Sequence, residues 1–114
     1  MLSPTATSGP EDHAIRHMEQ MVQLVAALKS LPVQVLGHWY SYECFGSWTM
    51  DLRFKGAAFR ILGDGRDGVL TLQRSTSKQR PYDWDQLIWE RPIDGDDIAP
   101  KEIVDVLNSA VVED

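Results

Sequence analysis

Seven residues impose the strongest constraint on this chain. In the stretch SWTMDLRF, Trp48, Met50, Leu52 and Phe54 alternate with Thr49, Asp51 and Arg53. That is the two-residue period of a strand with one face buried and the other in water. Lys55-Gly56 then turns the chain into AAFRIL, where Phe59 and Ile61 share a face, and DGRDG leads into VLTLQR. Alternating runs joined by such short connections predict an antiparallel meander. In YDWDQLIWER, three aromatics and Ile88 within eight residues favour another strand over a helix, ended by Pro92. IDGDD reads as a loop.

Both ends read as helices. Pro10 suits a first helical turn, and Glu11 and Asp12 complement the helix dipole there. Ala14, Met18, Met21, Val25 and Leu28 repeat at helical spacing, with Ile15 and Val22 widening the stripe, so a helix over about residues 10–30 is expected to bury that face. Pro100 opens a second helix whose apolar face carries Ile103, Val106, Leu107 and Ala110. The expected fold is α+β: an N-terminal helix, an antiparallel β-meander of four to five strands and a C-terminal helix. Residues 1–9, small and polar, read as a disordered tail, and 10–114 as a single domain.

The 114 residues suffice for one domain with a real core, and 43% apolar with 25% charged residues is an ordinary globular composition. No apolar run approaches the roughly 18–20 residues that span a bilayer. MLSPTATSGPED lacks the basic and apolar regions of a secretory signal, and one cysteine cannot form an internal disulfide. The expected setting is the cytoplasm.

Charge is segregated. Residues 1–93 hold ten acids and ten bases, so the net −6 arises in the last 21 residues. There Asp94, Asp96, Asp97, Glu102, Asp105, Glu113 and Asp114 face Lys101 alone. Such a field repels nucleic acid and anionic lipid and steers a basic protein partner. A solvated helix with an acidic tail accounts for it equally well.

Each candidate for chemistry lacks a necessary part. A thiol nucleophile at Cys44 needs an imidazole about 3 Å away, and His38 on the same extended strand would sit about 20 Å off. His13 and His17 have the four-residue spacing of a shared metal site, but HAIRH lacks the glutamate of HExxH and a third ligand. DGRDG reads as a turn, since a calcium loop needs oxygen ligands at alternating positions and a later bidentate Glu. DGDD at 94–97 reads as a solvated loop. Arg74, Lys78 and Arg80 near Tyr82 are too few cations for a nucleic-acid surface in an acidic chain. Nucleotide-binding, nucleophile-elbow and CxxC motifs are missing. No enzymatic activity, cofactor or metal is expected.

The stretch WYSYECFGSW resembles the signature of the immunity protein 53 family of bacterial polymorphic-toxin systems. That pattern, W-Y-x-x-x-C-x-G-x-W, falls in register on Trp39, Tyr40, Cys44, Gly46 and Trp48. Asp83, Trp84, Glu90, Pro100, Ile103, Val106 and Leu107 follow the order of the family's later D-W strand, acidic residue, proline and apolar helix. The resemblance covers about residues 36–110. The chain departs from it at Phe45, Ser47 and Thr49, where family members often carry acids, and in a longer first helix. The family pattern places residues 36–44 at a helix end whereas composition favours a strand; both remain open for 34–44.

The resemblance implies a non-enzymatic immunity protein that binds and neutralises a cognate toxin domain, often a nuclease. Contact would be made by Asp94, Asp96 and Asp97, with Trp89 and Tyr40 as anchors unless these two pack in the core. The expected partner is a basic protein toxin, with no direct role for nucleic acid or membrane. A second reading is an acidic phage-encoded anti-defence protein that inhibits a nucleic-acid-processing complex. The aromatic stretch itself is expected to be a packed corner, with Gly46 allowing the turn into the Trp48 strand.

Overall fold

In the computed structural model, which describes residues 9–76, 83–95 and 97–110, the elements are α1 (Pro10–Leu28), β1 (Val33–Ser41), β2 (Ser47–Phe54), β3 (Ala57–Asp64), β4 (Val69–Ser75), β5 (Gln86–Pro92) and α2 (Pro100–Ala110). The five strands form one antiparallel sheet in the order β1-β2-β3-β4-β5. Fold class and element order are those expected, with five strands. Residues 33–41 are strand, which resolves the open choice for that segment, and 42–46 are turn. The expected tail lies outside the described residues except for Gly9, the N-cap of α1. No helix among the described residues is long and apolar enough to cross a membrane.

Alternation builds the core as the sequence requires. Trp48, Met50, Leu52 and Phe54 of β2, Phe59 and Ile61 of β3, and Leu70 and Leu72 of β4 are buried on one face. Both helices cover that face: α1 contributes Leu24 and Leu28, α2 contributes Ile103 and Leu107, and Ile98 plugs the loop before α2. The opposite face is polar. Asp51 and Arg60 pair across β2 and β3 through two hydrogen bonds of 2.7 and 3.1 Å, and Arg60 lies 4.7 Å from the Trp84 ring. One wet and one dry face is what an antiparallel sheet permits. Lys55 and Gly56, both at positive φ, make the two-residue turn whose twist matches the strands.

The face that α1 buries is turned away from the one expected, and the two share Met21 and Leu28. The buried line is His17, Leu24 and Leu28, with Met21 half-buried, whereas Ile15, Met18, Val22 and Val25 are exposed. At 3.6 residues per turn these two stripes lie roughly 110° apart. The expected stripe left His17 at its polar border. The structure instead stacks the flat imidazole on Tyr40, with ring centroids 4.3 Å apart.

Candidate functional site

Three loops meet at one end of the sheet, and fixed contacts tie them together. The β1–β2 turn (42–46) is held by hydrogen bonds that the Gly46 amide donates to Ser41 O and the Ser47 amide to Cys44 O, both 3.0 Å. The β3–β4 turn (65–68) sits directly against it. The Gly65 amide donates to Ser47 Oγ at 3.0 Å, and a Cβ at Gly65 would lie 1.8 Å from the Phe45 carbonyl oxygen, so the contact requires glycine. Asp64 Oδ1 accepts from the amides of Arg66 and Asp67, an Asx turn rather than a calcium ligand set. The third loop, 93–98, joins through the Ile93 amide donating to Gly68 O at 2.8 Å.

These loops and the N-terminal half of α1 enclose a cleft of about 200 Å³. His17, Tyr40 and Trp48 line its inner part, and Arg16, Phe45 and Gly95 its mouth. The Tyr40 hydroxyl is buried here with no hydrogen-bond partner among the described residues. Burying a hydroxyl without a partner costs on the order of 1–3 kcal/mol. His17, 6% exposed, places its Nε2 2.9 Å from His38 Nε2. Burial, and then the neighbouring His38, push His17 down from the ordinary histidine value to about 4.

The outer rim is aromatic. Tyr42 and Phe45 project from the β1–β2 turn with 40% and 65% of their surfaces exposed, beside exposed Glu43. They border a shallow depression of about 410 Å³ that His13 and Gly65 also line. Phe45 has φ +61°, an uncommon conformation for a bulky residue. The expected packed corner therefore divides. Tyr40 and Trp48 go under α1, while Tyr42 and Phe45 face solvent.

The sequence-based contact residues are distributed unevenly. Tyr40 lines the cleft, and the loop carrying Asp94 and Asp97 forms part of its wall. Asp94 is exposed; Asp97 is exposed too, but its Oδ1 accepts the Ala99 amide at 2.7 Å. Asp96 lies outside the described residues, as do Lys78, Arg80 and Tyr82 of the small basic cluster. Trp89 is elsewhere. It is half-buried on β5 and donates its Nε1–H to Glu102 of α2 at 3.1 Å. The described residues weighed for chemistry make other contacts. His38 bonds to His17, and Cys44 is an exposed thiol in the turn. His13 packs edge-on against Tyr42. Among the described residues no three His, Cys, Asp or Glu side chains converge as a metal site.

Tyr42 and Phe45 are site residues that sequence reasoning missed, and His17, weighed there only as a metal ligand with His13, lines the cleft as a buried ring. A signal for the first two was present. Five residues separate the end of one strand from the next alternating run, and a five-residue connection runs over the surface, where contacts are made. For His17 the signal was its spacing of seven and eleven from Leu24 and Leu28.

No protein-family model, curated protein or solved structure matches this chain.

Proposed function

We propose that this protein is a non-enzymatic immunity protein that neutralises a basic bacterial toxin domain in the cytoplasm by stoichiometric binding. The carrying observation is the pair of exposed rings, Tyr42 and Phe45, on a turn fixed to its neighbours and flanked by Glu43, with the Asp94–Asp97 loop at the same end of the sheet. Rigid aromatics are the residues from which interfaces draw most of their affinity, because little conformational freedom remains to be lost on binding. The carboxylates add electrostatic attraction, which speeds encounter with a cationic surface. This reading moves the anchors from Trp89 to Tyr42 and Phe45, and it keeps Tyr40 as the floor of the cleft.

The test is co-expression with the toxin domains encoded beside its gene. The expected result is restored growth of the host and a one-to-one complex whose affinity falls with added salt. Phe45→Ala should weaken that complex at least tenfold while leaving the fold intact. Failure of every neighbouring toxin domain to bind, or binding indifferent to both Phe45→Ala and Tyr42→Ala, would overturn the proposal.

A further inference from the structure

The exposed apolar face of α1 has a symmetry that specifies its own partner. Along this face run Glu11, Ile15, Met18, Val22, Val25 and Lys29, at spacings of four, three, four, three and four. The pattern reads the same in both directions about the level of residue 20. All six side chains are exposed, Met18 and Val22 at 64% and 68%. Alternating three- and four-residue steps draw the narrow seam by which two helices pack side by side. We infer that two copies of this chain associate through α1, antiparallel about a two-fold axis that crosses the seam between Met18 and Val22.

In that arrangement residue i of one copy faces residue 40 − i of the other. Met18 meets Val22, Ile15 meets Val25, and Glu11 meets Lys29, each pair occurring twice. A two-fold interface must be complementary to itself, with equivalent contacts repeated across the axis. This seam meets that condition in apolar shape and in charge, because acid stands at one end and base at the other. A surface that received an unrelated protein has no need of such a palindrome.

The surroundings of α1 have room for a second helix. Between α1 and the edge strand β1 runs an apolar groove of about 490 Å³, lined by Met18, Met21, Val22, Val25 and, from the sheet, His38 and Met50. It continues into a second groove of about 280 Å³ that reaches Val33 and Val35. Val35, which pairs with buried Leu52 and so lies on the helix-bearing face of the sheet, is 49% exposed because α1 does not cover it. The partner helix would lie over this uncovered strip. Pairing through the sheet edge is the less favourable route, since the register shift between Val35 and Gly37 breaks the regular ladder that an added strand needs.

Light scattering and sedimentation decide the matter. The expected mass is twice the 12.9 kDa of one chain. Glu11→Lys or Lys29→Glu alone should raise the dissociation constant roughly tenfold, and the two together should restore it. In a Cys44→Ser background, Met18→Cys/Val22→Cys should oxidise to a covalent dimer, whereas Gln23→Cys, about 120° round the helix, should not. A monomer at every concentration overturns the inference. So does a dimer that ignores both charge reversals or that crosslinks through Gln23→Cys. The cleft and its aromatic rim are not part of this seam, so toxin binding and self-association can fail independently.

Discussion

The Nε2 atoms of His17 and His38 lie 2.9 Å apart, so one ring donates a proton to a lone pair that the other must keep free. Two protonated rings cannot make this bond. With its folded-state value lowered to about 4, His17 stays neutral in the native protein at pH values where the unfolded chain already binds a proton. Stability from this site is therefore fully present above about pH 6.5, and it is lost as pH falls toward 4. The complete loss is on the order of 3 kcal/mol. His38 and Tyr40 face the ring from β1, and Arg16 and His13 share the cleft with it. Replacing His17 with Phe keeps the stack on Tyr40 and should flatten the urea midpoint between pH 6.5 and 4.5. An equally steep pH dependence in the variant would assign the effect to other groups.

Gly63, like Gly65, leaves no room for an added methyl group. A Cβ there would lie 2.1 Å from Trp48 Nε1, and Trp48 is buried between β1, β3 and α1. Gly63→Ala should cost about 1–3 kcal/mol through overpacking, measured as a lower denaturant midpoint at unchanged slope.

At Phe45, stability and binding should move in opposite directions. The residue holds a positive φ that glycine adopts without steric cost, and its exposed ring contributes little to the core. Phe45→Gly should therefore stabilise the fold by up to about 1 kcal/mol while weakening toxin binding. Paired unfolding and binding titrations would show whether the two effects separate.

Glu102 holds β5 and α2 together, accepting from Trp89 Nε1 at 3.1 Å and from Arg91 Nη1 at 2.5 Å. The ion pair is partly exposed, so Glu102→Ala should cost only about 0.5–1 kcal/mol, and less at high salt. Trp89→Phe should lower stability by a comparable amount and leave toxin affinity unchanged. A large loss of affinity would return Trp89 to the contact surface.

Cys44 sits exposed in the β1–β2 turn. Its amide, not its thiol, holds the turn, donating to Ser41 Oγ at 3.2 Å. Cys44→Ser should retain full neutralising activity in a growth-rescue assay; abolished activity would reopen a thiol-dependent mechanism.

The elements that could be read from the sequence are those whose periodicity is undisturbed. β2, β3 and β4 keep strict alternation, and the structure buries the residues that this alternation selects. β1 was harder because the register shift between Val35 and Gly37 breaks its period, so His38 and Tyr40 fall out of phase with Val33 and Val35. The length of α1 was legible from its capping signals, but its orientation was not. A helix with two apolar stripes gives a periodic signal that does not say which stripe is inside, and setting His17 at the polar border turned the expected face away from the buried one, although both contain Met21 and Leu28. In the candidate site, composition drew attention to Tyr40 and the acidic loop. It could not separate Phe45 from buried Trp48, because that difference depends on where β1 ends and β2 begins.

Every strand in this sheet neighbours the strand adjacent to it in sequence. Most of the architecture can therefore assemble from hairpins, without bringing distant parts of the chain together first. Low sequence separation between contacting residues favours rapid folding. The exception is the meeting of α1 with α2, which joins segments from opposite ends of the chain. That contact carries the largest loop-closure entropy, which predicts that it forms late in the folding reaction. Substitutions at Leu24 or Ile103 should then act mainly on the unfolding rate, and those in the β2–β3 hairpin on the folding rate.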